Sequence, residues 1–201
     1  MDQSLLTNPI VGGNYYHILK KSEVNLFYSQ ANYQYFMRRY AYYLNDISET
    51  IAFCLLPNHF HILFRAPEII TIKGEYIDHP SDIGHFISDG IRKFFANYSN
   101  FIMKQEGLID PPLDANFFRV QIDEDTQLKE LLVFIHKNGT YHNVNDDYST
   151  YPNSSFQNYF SNHKSLIGKE TAFSLFDSRE QFIELHQTID LSDIQDNIFL
   201  E

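Results

Sequence analysis

The chain has 201 residues, 43% of them hydrophobic, which suits one globular domain with a core of its own and excludes a disordered chain. No apolar run reaches the roughly 20 residues of a membrane span, residues 1–10 lack the basic start and apolar stretch of a secretion signal, and the lone Cys54 excludes an intrachain disulfide, so the reading is a soluble, cytoplasmic protein. The net charge of −11 is uneven, with 10 Lys and Arg against 12 Asp and Glu in residues 1–122 and 5 against 14 in residues 123–201, which excludes a large basic footprint for nucleic-acid phosphates and leaves room only for a local one in the first half.

Residues 14–19, short and aromatic-rich, read as a first strand. Residues 29–45 place Tyr33, Phe36, Met37, Tyr40 and Leu44 at helical spacing. Residues 47–56 read as a second strand, Pro57-Asn58 as a turn, and residues 59–65 as a third strand. On that strand His59, His61 and Leu63 share one face, and Phe60, Ile62 and Phe64 the other. Residues 67–80 look like a loop. A second helix starts from Ser81 as N-cap, with Ile83, Phe86, Ile87, Ile91, Phe94, Phe95 and Tyr98 on its apolar face, and breaks over residues 107–112.

Residues 117–122 read as a fourth strand. The acids at 123–125 suit the start of a third helix, whose core face is Leu128, Leu131, Leu132 and Ile135 and whose end is set by Asn138-Gly139. The chain is then polar and turn-rich to about residue 165. Residues 171–176 and 179–188 read as short helices. The order βαββαβα predicts an α+β, ferredoxin-like two-layer sandwich, with a mostly antiparallel sheet of four or five strands and helices on one face. Residues 1–160 form the expected main domain and residues 161–201 an acidic helical appendage.

His59 and His61 carry the chemistry. Two imidazoles two residues apart on a strand point to the same side, where both can hold one metal ion. Such an ion acts as a Lewis acid on a bound oxygen. Lys20, Lys21, Arg38, Arg39, Arg65, Arg92 and Lys93 are the candidates for a local phosphate-binding patch. His136 points away from the Phe134/Asn138 side of a regular helix and reads as structural or exposed.

These residues together resemble the REP-associated tyrosine transposases, relatives of the insertion-sequence-200 type transposases among the HUH nucleases. Ala52-Phe53-Cys54-Leu55-Leu56-Pro57-Asn58-His59-Phe60-His61-Ile62-Leu63 follows the family's signature almost letter for letter. Tyr15-Tyr16-His17-Ile18 resembles its opening strand. Phe117-Phe118-Arg119 resembles its Phe-Lys/Arg strand, which adds Arg119 to the DNA-binding candidates. Residues 131–138 resemble the helix that usually reads Leu-x-Tyr-Ile-His-x-Asn-Pro, and residues 151–156 its Trp-Ser-Ser-Tyr segment.

The resemblance implies a protein of mobile elements that cuts and rejoins single-stranded DNA near a hairpin through a covalent phosphotyrosine. It implies magnesium or manganese held by His59 and His61, with Asn138 at the position of the family's third ligand. Related transposases act as dimers or as monomers, so a homodimer stays open.

The departures bear on activity. Phe134 stands where the family has its tyrosine nucleophile, and a phenyl ring has no hydroxyl to attack phosphorus. Gly139 replaces the proline after Asn138, and the usual excess of Lys and Arg is reduced. Three readings follow: a DNA-binding relative impaired in cleavage, an active transposase using a displaced tyrosine such as Tyr141, and a protein-interaction module that reuses the fold and presents its acidic C-terminal third to a basic partner.

Overall fold

A computed structural model describes residues 8–163 and 165–191. Residues 1–7, 164 and 192–201 lie outside that set, among them most of the N-terminal segment read above and the end of the acidic appendage.

The described chain forms strands β1 (Tyr15–Lys21), β2 (Glu49–Leu56), β3 (His59–Arg65), β4 (Ile70–Ile72), β5 (Glu75–Ile77) and β6 (Phe118–Ile122). The helices are α1 (Gln30–Leu44), α2 (Pro80–Glu106), α3 (Asp125–Tyr141), α4 (Lys169–Phe173) and α5 (Arg179–Thr188), with short 3-10 turns at Tyr148–Thr150 and Phe156–Phe160. The main sheet has four strands in the order β2-β3-β1-β6, every neighbouring pair antiparallel. That is the expected ferredoxin-like α+β arrangement.

The helices cover both faces of this sheet rather than one, and strand alternation shows how. Phe60 on β3 meets Phe36 of α1 at 4.9 Å and Phe95 of α2 at 5.8 Å between ring centroids. The next residue, His61, meets Phe134 of α3 at 5.4 Å. Successive strand residues face opposite ways, so α1 and α2 lie on one side and α3 on the other. The α1–α2 side is an aromatic core in which Phe94 and Tyr98 each pack edge to face against Phe36.

Three local expectations change. Residues 67–80 are not all loop, because β4 and β5 pair across Lys73-Gly74. Both turn residues have positive φ (52° and 87°), which fits the twist of a two-residue hairpin turn. Lysine there is not the usual turn signal, and three-residue strands carry little pattern. α2 starts one residue before Ser81, with Pro80 in its first turn and His79 as cap.

The third change matters more. α3 does not stop at Asn138-Gly139 but runs to Tyr141. Gly139 serves a close approach: a Cβ there would stand 2.7 Å from Cδ1 of Tyr151. Tyr151 in turn donates to the backbone oxygen of Leu55 on β2 at 2.7 Å.

The outer edge of β2 is covered by the C-terminal third of the chain. The Ser155 N–H donates to Phe53 O, Leu55 N–H to Asn153 O, and Gly168 N–H to Thr50 O, all within 2.8–2.9 Å. Phe182 of α5 is fully buried among Phe156, Tyr159, Phe173 and Phe176. A covered edge cannot recruit a foreign strand.

Gly139→Ala is expected to cost about 1–3 kcal/mol through overpacking against Tyr151, read as a lower urea midpoint at unchanged slope. An unchanged midpoint contradicts the close-packing role.

Candidate metal and nucleic-acid site

The site is built on one face of β3. In the sheet register Lys21 stands opposite His59, and Cys54 and Leu19 flank His61 on either side. His59 and His61 lie 5.5 Å apart between ring centroids at 77°, and both are buried, His61 completely.

Each imidazole has a second partner that orients it. His59 Nδ1 lies 2.9 Å from the amide oxygen of Asn58, an acceptor only, so Nδ1 carries the proton. His61 Nδ1 lies 3.0 Å from His17 Nε2 on β1. His61 Nε2 is buried with no hydrogen-bond partner among the described residues. A buried, unpaired ring nitrogen costs free energy unless something completes it.

Asn138, one helical turn beyond Phe134, brings its side-chain amide against His59. The structure thus brings His59, His61 and Asn138 together. Burial, then the charges of His142 and Lys21, push the His59 pKa down to about 4. Burial and the neighbouring His17 and His59 push His61 well below the ordinary range. Both rings are therefore neutral at pH 7, the state in which imidazole ligates a metal.

Asn58 and His17 lie at the Nδ1 side of the two rings, the kind of partner that a ligating histidine ordinarily gives its other nitrogen. Two imidazoles with an amide form a borderline-hard donor set that suits manganese better than magnesium. Among the described residues no group of three or more His, Cys, Asp or Glu is arranged to hold an ion.

His142 escaped the sequence reading. It follows Tyr141 and sits 4.7 Å from His59 between ring centroids. A closed circuit of rings results: His61 to Phe134 5.4 Å, Phe134 to Tyr141 6.3 Å, Tyr141 to His142 5.1 Å, then His59 and back. Assuming that α3 ended at Gly139 hid this residue. Phe134 is buried, and Tyr141 is 50% exposed on the rim. A cavity of about 450 Å³ opens beside Tyr141, walled also by Lys137, Tyr148 and Gln187.

The basic candidates do not share one surface. Lys20, Arg92 and Arg119 line one cleft at the β6 edge. Lys21 stands beside His59. Arg38 and Arg39 lie against Tyr35, Tyr42 and Tyr43 of α1. Arg65, at the far end of β3, faces Glu68 at 3.7 Å, and Lys93 pairs with Asp89 at 2.6 Å.

His136 is structural. His186 Nδ1 donates to Phe182 O at 2.7 Å, which leaves its Nε2 to accept from His136 Nδ1 at 2.8 Å. His136 Nε2 then accepts from Ser155 Oγ at 2.9 Å. This fully buried wire ties α5 to α3.

These features define an α+β domain of ferredoxin-like order with a His-x-His pair on a central strand, a helix crossing beside it and an amide within reach. Among solved structures, the chain matches that of a REP-associated tyrosine transposase bound to a REP hairpin, with a TM-score of 0.52 and 19% identity over 78% of this chain and 84% of that one. The chain shares the fold of that transposase, as the sequence resemblance implied. No protein-family model and no curated protein sequence matches. No helix among the described residues is long and apolar enough to cross a membrane.

Acid should loosen the docking of α5. Burial pushes the His186 pKa down to about 4, below its ordinary 6.5, so the unfolded chain binds the extra proton first. The stability that this group contributes is complete above pH 6.5 and is lost as pH falls through about 4, at about 1.4 kcal/mol per pH unit for one histidine. Melting followed by circular dichroism should show a smaller fall over that window in His186→Phe than in the parent. Equal falls in both would contradict the assignment.

Proposed function

We propose that this chain is a transposase-related protein that binds hairpin-bearing single-stranded DNA but does not form the phosphotyrosine of its relatives. The carrying observation is Phe134: its ring stands 5.4 Å from the His61 imidazole, on the helix and in the position that the resemblance gives to the nucleophile. A phenyl ring there packs against the imidazole and attacks nothing. His59, His61 and Asn138 would hold magnesium or manganese, which when bound polarises a phosphate oxygen. Neutral imidazoles fixed by Asn58 and His17 orient that site, and Lys21 brings a positive charge to its mouth. We place the protein with its DNA in the cytoplasm.

A second reading rests on the continuation of α3. Tyr141, seven residues beyond Phe134 and so on the same side of the helix, keeps its ring 6.3 Å from Phe134 and is half exposed. It is the tyrosine best placed to act as a displaced nucleophile.

Incubation with hairpin-containing single-stranded DNA and manganese should give no covalent adduct on a denaturing gel. A shifted band that resists denaturation overturns the first reading, and its loss in Tyr141→Phe establishes the second. Binding to the same DNA should weaken steeply as salt rises. No binding at low salt would leave the protein-interaction module as the surviving account.

A further inference from the structure

His17 is buried on β1, on the face of the sheet that carries the imidazoles. Leu19 stands opposite His61 and Lys21 opposite His59, and alternation puts His17 on the same side as both. Its Nε2 lies 3.0 Å from His61 Nδ1. The two rings are 5.2 Å apart between centroids and only 10° from parallel. The centroid separation exceeds the nitrogen separation by about two ring radii, so both nitrogens lie on the line between the centroids. The bond therefore runs in the plane of both rings, along the lone pair of whichever nitrogen accepts.

The proton in this bond can sit on either ring. If His17 donates it, the neutral His61 carries its own proton on Nε2. If His61 donates it from Nδ1, the His61 Nε2 keeps a lone pair. The two arrangements differ in what they bury. His61 is fully buried, and its Nε2 has no hydrogen-bond partner among the described residues. An N–H at that place is a donor without an acceptor, the rarer and costlier defect. A lone pair there is what a cation completes. His17 has a further interaction of its own, so the comparison is decided at the His61 end.

The neighbouring ring follows the same rule. His59 gives its Nδ1 proton to the Asn58 amide oxygen, which leaves its Nε2 as the basic nitrogen. Donation from His61 Nδ1 to His17 makes the two rings alike, with Nε2 unprotonated on each.

We propose that His17 is a positioning residue: its Nε2 accepts the Nδ1 proton of His61 and thereby keeps the His61 Nε2 lone pair available to a metal ion. The inference rests on the metal reading above for what that lone pair binds, and it adds the residue that selects the tautomer. A ring 44 residues away in sequence thus sets which nitrogen of His61 is basic. A glutamine side-chain oxygen in place of His17 can accept the same proton. A phenyl ring fills the space and accepts nothing.

The test has two readouts. Long-range proton–nitrogen NMR spectra of the metal-free protein at pH 7 distinguish protonated from bare ring nitrogens, and the His61 signals are assigned by their loss in His61→Gln. The parent should show His61 protonated on Nδ1 and bare on Nε2. His17→Gln should keep that pattern, and His17→Phe should move the proton to Nε2. Manganese alone, titrated against each protein and followed by electron paramagnetic resonance of the free ion, should bind about 10–100-fold more weakly to His17→Phe. His17→Gln should keep the parent's affinity. A purely structural role for His17 would lower the melting temperature of both variants without separating them in tautomer or affinity.

A parent His61 protonated on Nε2 overturns the proposal, whether or not His17→Phe folds. So does a His17→Phe variant that keeps the bare Nε2 and the parent's manganese affinity, or a His17→Gln variant that loses both. A parent that binds no manganese removes the metal reading and the role of His17 with it, whereas a protonated Nε2 removes the role alone.

Discussion

The alternation of β3 is the constraint on which the rest of the structure depends. One side of the strand sends Phe60, Ile62 and Phe64 into the α1–α2 core, and the other sends His59 and His61 toward α3. Buried imidazoles stay in a folded protein only when neutral and partnered. Asn58 and His17 meet that demand on the Nδ1 side of the two rings, and His61 Nε2 is a buried nitrogen with no hydrogen-bond partner among the described residues. The strand's polar face is therefore held by its surroundings with one ring nitrogen unsatisfied among the described residues.

The other buried histidines show what a closed arrangement looks like. Ser155, His136, His186 and the Phe182 carbonyl form a chain in which each donor has one acceptor. That wire secures α5, and nothing in it remains for a ligand. His61 differs in that its Nε2 is left without such a partner among the described residues, although both histidine pairs are buried.

Much of this was legible in the sequence because the period-two pattern of residues 59–65 and the helical spacing of α1 and α2 are local signals. The order of elements then fixed the sheet. What escaped depends on contacts distant along the chain. Gly139 reads as a helix stop from its neighbours, yet it is needed because the Tyr151 ring packs against it. Because α3 continues past Gly139, Tyr141 stays on the helix and His142 comes beside His59, neither of which the local signal shows. The His17–His61 bond depends on strand register across 44 residues. The packing of α3 on the second face depends on which residues of β2 and β3 remain to be covered. The scatter of the basic residues was likewise invisible, because sequence proximity of Arg38-Arg39 and Arg92-Lys93 says nothing of which sides they serve.

The account's central claim is that the site is complete in its imidazoles and amide and lacks only a hydroxyl at position 134. Phe134→Tyr tests this most directly, with hairpin-containing single-stranded DNA and manganese on a denaturing gel. The account predicts a covalent protein–DNA band in Phe134→Tyr that is absent from the parent chain and absent again when His61→Ala is added. A parent chain that already forms the band, or a Phe134→Tyr variant that binds the DNA yet never forms it, would contradict the account.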